Sequence, residues 1–315
     1  MAIQQTGGTV YTASYSGVIA RYLKDAKLIG GGHVYVQGGF NESFKIPRVS
    51  MSDAIQAHTE TPASEKGDVT FDNATLTLSK YDVFLKFNPN SLSTYWKPFQ
   101  ADGEFNFKTL PTQVQGQIVS VLLNQVAGYN DEVMMKGDTS LTGTTNMKYV
   151  NGFIKRALGA NEVYDITGAT TITQANVISE LQRAIRQSKR NKVDVRRAIA
   201  DSNFKLFVSQ YTFDLYGDAL RALTNKSISV EQATPDRVNG IRIVPLPYMP
   251  DNTILGAVGL NSPASNLWVG TNDIGDFTSV KIDRWRPESE LFFMKMTVGL
   301  DTCIVKPEEV FLYKG

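Results

Sequence analysis

FKIPRVSMSDAIQAHTETPASEKGDVTFDNATLTLSKYDVFLKF, residues Phe44–Phe87, is the stretch on which the fold turns. Phe44 and Ile46 alternate with Lys45, and Pro47 then marks an edge or a strand end. From Thr59 to Asp68 the chain is polar and turn-rich, the composition of a solvated tip. Val69-Thr70-Phe71 and Thr75-Leu76-Thr77-Leu78 alternate again, and Val83-Phe84-Leu85-Lys86-Phe87 follows. With the fragment Val34-Tyr35-Val36 ahead of it, the stretch 33–88 predicts two β arms around a polar tip, a long protruding hairpin. It holds too little apolar surface for a core of its own, and an isolated hairpin is marginal in water. It must lean on something.

Before this stretch lies a polar, Gly/Ser/Thr-rich arm and then Val18, Ile19, Tyr22, Leu23 and Ala26 at helix spacing, stopped by Gly30-Gly31-Gly32. Such an arm needs a partner to hold it, and a neighbouring copy would serve. After the hairpin, residues 112–136 read as the strongest helix. Val114, Ile118, Val121, Leu122, Gln125 and Tyr129 recur at three- and four-residue steps, between Pro111 and Lys136-Gly137. At 1.5 Å per residue it would run roughly 37 Å. Residues 137–172 are loop-rich, with Asn151-Gly152-Phe153-Ile154 turning into a short apolar segment.

Thr173 is the expected cap of a helix over 174–190 with the stripe Val177, Ile178, Leu181, Ala184 and Ile185. The strand Phe204–Val208, a helix over 210–223 and short strands at 240–244, 253–255 and 267–269 follow, an α/β-type order. Val280 and Ile282, a turn at Pro287-Glu288-Ser289, then Phe292, Met294, Met296 and Val298 predict a closing hairpin, and Val310–Tyr313 ends the chain.

The chemical inventory is poor. The 315 residues carry 32 Lys+Arg and 31 Asp+Glu, a formal net charge of +1, which argues against a uniformly basic nucleic-acid binder. With 42% apolar and 20% charged residues the composition is globular, and the length suits about two domains. A single cysteine, Cys303, forms no disulfide within the chain, and with His33 and His58 it cannot make a structural zinc site. His33 and His58 read as exposed loop histidines rather than members of a triad, and Cys303 as a small buried hydrophobe. Asn272-Asp273-Ile274-Gly275-Asp276 reads as a surface turn rather than a calcium loop. No phosphate loop or nucleophile elbow is present. The N-terminus lacks the basic and apolar blocks of a signal peptide, and the longest uncharged stretch, 109–130, is broken by glutamines and asparagines. No cofactor and no metal are expected.

One charge cluster stands out over residues 180–197: Arg183, Arg186, Lys189, Arg190, Lys192, Arg196 and Arg197 against Glu180 and Asp194. It is the solvated face of a helix, a subunit contact, or a surface for DNA phosphates. No aromatics interleave it, so it lacks the pattern for single-strand stacking.

Several segments carry a resemblance through their order: Gly128-Tyr129-Asn130-Asp131-Glu132 through Met135-Lys136-Gly137-Asp138, then Gly152-Phe153-Ile154. Phe204–Ser209 leading into a helix, Gly240–Val244 followed by Met249–Leu255, and the closing Phe292–Val298 and Val310–Tyr313 complete the set. The chain resembles the major capsid protein of tailed double-stranded DNA phages, the Hong Kong 97-like fold, over nearly its whole length. The resemblance implies an α+β architecture with an N-terminal arm (1–32), an extended β-hairpin loop (33–88), a peripheral domain (89–165 and 277–315) holding a spine helix at 112–136, and an axial domain (166–276).

It further implies a structural virion protein, not an enzyme. This would be made in the host cytoplasm and would self-assemble as hexamers and pentamers into an icosahedral shell around double-stranded DNA, with scaffold, portal and decoration proteins as further partners and no membrane. Phe44, Lys45, Ile46, Arg48 and Lys66 are then candidate inter-subunit contacts, and Arg183, Arg186, Lys189, Arg190, Arg196 and Arg197 a candidate subunit or DNA contact. Many relatives carry a long N-terminal scaffolding segment; here the arm starts close to Met1, which implies a separate scaffold, an earlier cleavage or none. No residue matches the lysine–asparagine crosslink of some members. The alternatives are an encapsulin-like compartment on the same fold, and a cytosolic hydrolase using carboxylates.

Overall fold

A computed structural model describes residues 9–11, 27–51, 55–56, 58, 67–88, 125–143, 145–222, 236–272, 280–286 and 291–315. Two six-stranded sheets and a two-stranded hairpin account for the strands.

The hairpin is β3 (Ser43–Met51) against β4 (Val69–Thr77), antiparallel, with Phe44 opposite Leu76 and Met51 opposite Val69. Pro47 is tolerated because no further strand pairs with β3. Alternation predicts a wider hairpin, but the flanking segments go elsewhere. β2 (Tyr35–Gln37) lies parallel to β11 (Leu267–Thr271), and β5 (Ser79–Phe87) runs along β13 (Phe292–Ile304). A period of two reports which face is buried and is silent on the partner strand.

β13 organises the first large sheet. One edge carries β5 over Phe292–Leu300; the other carries β12 (Val280–Arg284) and then β11. The expected closing hairpin is therefore present as β12 and β13. β1 (Thr9–Tyr11) pairs with β12 of the same chain, so the described piece of the arm has a partner within its own chain.

The second sheet runs β6 (Tyr164–Asp165), β14 (Phe311–Lys314), β10 (Thr253–Val258), β7 (Phe204–Ser209), β9 (Ile241–Leu246), β8 (Arg237–Val238). Every residue of β7 and β10 is buried, since both faces are covered. Phe204, Leu206, Val208, Ile254 and Tyr313 face α4 (Val177–Asn191), α5 (Val193–Ile199) and α6 (Gln210–Ala222). Phe207, Leu255, Ala257 and Leu312 face the opposite way, into a core shared with α2, the helix at 125–136, α3 (Phe153–Gly159) and β13. The predicted boundary between 276 and 277 thus parts β14 from the sheet it completes, while β11, inside the predicted axial segment, belongs to the other sheet.

α4 begins three residues later than expected. The Thr173 carbonyl accepts from the Val177 N–H at 2.9 Å, and Asn176, not Thr173, is the N-cap. Residues 112–124 of the long predicted helix lie outside the described residues. Within 125–136, buried Asp131 accepts from the backbone N–H groups of Lys27 (2.6 Å) and Leu28 (3.3 Å), tying in the short turn of helix α1 (Lys27–Gly30).

Past the end of α2, the Gly152 N–H donates to the Gly137 carbonyl at 2.8 Å. Gly152 has φ −78°, open to any residue, but a Cβ there would sit 2.7 Å from the Met135 and Val133 carbonyl oxygens. Gly152→Ala is therefore expected to cost about 2 kcal/mol through backbone overpacking, measured by urea unfolding; an unchanged unfolding midpoint would show that the two segments part freely.

Candidate assembly surfaces

Each rung of the hairpin pairs residues whose side chains share a face. On one face, Phe44, Ile46, Ala74 and Leu76 at the root pack with Trp268, Cys303 and Val305, and Phe44 lies 5.6 Å from the Phe40 ring. Further out on that face, Arg48 donates to the Val305 carbonyl at 3.0 Å and pairs with Asp72, holding the Asp72 carboxyl below its usual range.

On the opposite face the distal end is apolar and exposed. Val49 (63% exposed) stands across from Phe71 (78%), and Met51 (68%) across from Val69 (46%). The hairpin thus spends one apolar face on its own body at the root and turns the other to solvent at its far end.

That division sorts the expected contacts. Ile46 is buried within its own chain, Phe44 is half-buried beside it, and Arg48 is engaged internally. Lys45 is exposed, and Lys66 lies outside the described residues. Sequence reasoning missed Val49, Met51, Val69 and Phe71. The signal was there, an apolar pair at i, i+2 on either side of the polar tip, but only the register puts the four on one face.

A buried charge couple fixes the root. Asp301, on β13, accepts from the Thr77 backbone N–H and from Arg156, each at 2.7 Å.

The basic cluster splits in two. Arg183 pairs with Glu180 and lies 5.9 Å from the Tyr313 ring, while Glu180 accepts from the Tyr313 hydroxyl at 2.5 Å, so Arg183 serves the core. Arg197 pairs with Asp194 at 3.6 Å and Arg186 bonds Gln182. Among the described residues Arg186, Lys189, Arg190, Lys192 and Arg196 make no ion pair, and Arg186, Arg190 and Arg196 are exposed.

The reactive side chains fall out as follows. Cys303 is buried and its thiol is pushed up to about 11, chiefly by burial, so it is a poor nucleophile. His58 is exposed, as expected. His33 is not: it is buried, 5.9 Å from the Phe207 ring, with Nδ1 3.0 Å from Lys205 Nζ. The sequence signal for this was absent, because Gly31, Gly32 and the following strand look like a surface turn. Among the described residues no group of three or more metal-binding side chains occurs, and no helix is long and apolar enough to cross a membrane. Residues 273–276 of the acidic turn lie outside the described residues.

Burial first, then Lys205 and Arg242, lower the His33 pKa from 6.5 to about 4. The unfolded chain takes up this proton near pH 6.5 and the folded chain only near pH 4. The stabilisation is thus whole above about pH 6.5 and drains away as the pH falls towards 4, by about 3 kcal/mol in all. His33→Gln is expected to flatten the pH dependence of unfolding free energy across that window; a slope equal to the wild type would refute it.

No protein-family model matches the chain, and no curated protein matches it. Solved structures do. The capsid of a native GTA particle superposes with a TM-score of 0.61 at 12% identity, covering 100% of this chain and 95% of that one. The fold is that of a phage capsid subunit. The capsid of Myoviridae phage XM1 gives 0.60 at 10% identity, covering 92% of each chain. A virus-like particle from Pyrococcus furiosus gives 0.52 at 12% identity, over 96% of this chain and 100% of that.

Proposed function

We propose that this chain is a structural shell protein, the major capsid protein of a tailed phage. It would assemble as hexamers and pentamers into a closed icosahedral particle around double-stranded DNA. The observation that carries the reading is the exposed apolar end of the hairpin, Val49, Met51, Val69 and Phe71, on a subunit whose fold is that of capsids. An exposed apolar patch of this kind is a contact waiting for a partner. Laid on the next copy, it makes a head-to-tail interface, the type that closes into rings and shells. Modest contacts suffice when each subunit makes several. Arg186, Lys189, Arg190 and Arg196, which make no ion pair among the described residues, suit sequence-independent contact with DNA phosphates or with acidic groups of a neighbour.

A second reading is an encapsulin-like shell on the same fold that holds protein cargo. Electron microscopy of the chain expressed in bacteria tests both. Closed shells or hexameric sheets are expected; a chain that stays monomeric at every concentration, alone and co-expressed with its scaffold, would refute both and favour the hydrolase alternative. Particles from the native source should hold nuclease-protected duplex DNA; a single co-purifying protein in its place would favour the cargo shell.

A further inference from the structure

The register of the second sheet sets three cations in a row. Lys205 of β7 lies beside Arg242 of β9, and Arg242 faces Arg237 of β8, so the three side chains share one face across three adjacent strands. Like charges at directly opposed positions repel and destabilise a sheet. Two more nitrogens close over the row. Of the row, Arg242 lines a cleft of about 520 Å³ with His33, Lys27, Gly30, Gly31 and residues 243–246 of β9, while Lys205 and Arg237 flank Arg242 on the neighbouring strands.

The charge balance is one-sided. Lys205 and His33 are each only 9% exposed, and among the described residues their side chains bond only each other. Among the described residues neither Lys205, Arg242 nor Lys27 forms an ion pair with a side chain; Arg237 reaches Asp236 only at 4.0 Å. Asp131 interacts with the Lys27 charge, though its carboxylate oxygens accept from the backbone N–H groups of Lys27 and Leu28. If Lys205 is charged, its contact needs an unprotonated Nδ1 on His33, which leaves Nε2–H as that ring's donor. A buried ammonium without a counter-charge is costly unless an anion offsets it.

We propose that this row and the cleft above it form a binding site for a tetrahedral oxyanion of the phosphate class. Arg242 and Arg237 give planar forks at the exposed end, suited to bidentate contact with phosphate oxygens. His33 gives a neutral donor in the cleft, and Lys205, held against its Nδ1 on β7, adds a buried positive charge behind it. A cleft of this size favours a small group, a free phosphate or phosphomonoester, over a phosphodiester held in a duplex. The site does not depend on the capsid reading.

Equilibrium dialysis of labelled inorganic phosphate against the full-length protein, at fixed ionic strength made up with chloride, tests it. One saturable site per chain with a dissociation constant of about 1 mM or tighter is expected. Arg242→Gln, at an exposed position, should weaken it at least about tenfold, the scale of one lost charge-assisted contact. Arg190→Gln, on α4, should leave it unchanged. Lys205→Met should abolish binding, and Arg237→Gln replaces it as the second variant if that chain fails to fold. A short DNA duplex separates the sources. Displacement of the label by duplex would assign the site to backbone phosphate, and duplex binding without displacement would assign it to a free anion. No saturable binding, or equal affinity in the wild type and Arg242→Gln, would overturn the proposal.

Discussion

Phe71→Asp is expected to leave the subunit folded and to stop it assembling. The side chain is 78% exposed, so the free chain loses little, and substitutions at such positions fall within about 0.5 kcal/mol. In a contact, the same ring would bury on the order of 150 Å² or more, worth about 4 kcal/mol at 25 cal/mol per Å² before ordering costs. An aspartate replaces that gain with an unpaired charge in a desolvated interface. Because the loss recurs at every copy, shell yield should fall to below about a tenth of wild type, while Phe71→Leu should keep most of it. Sedimentation and negative-stain microscopy of the three chains, with thermal melts as the folding control, decide the matter. Wild-type shell yield from Phe71→Asp would remove the hairpin's apolar end from the interface.

Asp301→Ala is expected to give the largest loss of stability. Asp301 is buried and holds two groups at once, the Thr77 N–H where the chain leaves the hairpin and the Arg156 guanidinium. Removing the carboxylate leaves Arg156 without its counter-charge, and its Nε already has no partner among the described residues. Breaking a buried pair from one side costs about 3–5 kcal/mol, and partial exposure of Arg156 puts this case near the lower figure. Asp301→Asn keeps an acceptor for Thr77 and should lose about half as much. The loss should be local as well as global. Amide exchange over 43–51 and 69–77 should quicken more in Asp301→Ala than exchange in β7 and β10. Equal quickening everywhere, or none, would show that the couple does not anchor the hairpin.

The first expectation begins with a pattern visible in the sequence; the Asp301 couple has no signal there, since Thr77, Arg156 and Asp301 meet only in the fold. The alternation of Phe44 and Ile46, and of Thr75 to Leu78, identifies the strands and the polar tip between them. It does not show that the apolar side changes face between Ile46 and Val49, which is what separates the root of the hairpin from its free end. The basic run at 183–197 is equally plain as a run. That Arg183 belongs with distant Tyr313 as well as with Glu180 one helical turn back is settled only where β14 meets α4. Lys205, read as one polar residue in an apolar strand, gains its meaning from Arg242 and His33 beside it.

What the sequence determined by itself was local. The turn residues, the helix periods, the largely apolar strands β7 and β10 and the shortage of Cys and His follow from side-chain chemistry within a few residues. The order of these elements was enough to suggest the capsid architecture. The tertiary structure decided the partners: β1 with β12, β5 with β13, β11 with β2, β14 with β10, Asp301 with Thr77 and Arg156. Strand pairing uses backbone groups that every residue carries, so nothing in a strand's own sequence names its neighbour. That choice falls to the packing of whole layers, where burying both faces of one sheet and one face of the other leaves each strand a single place to go.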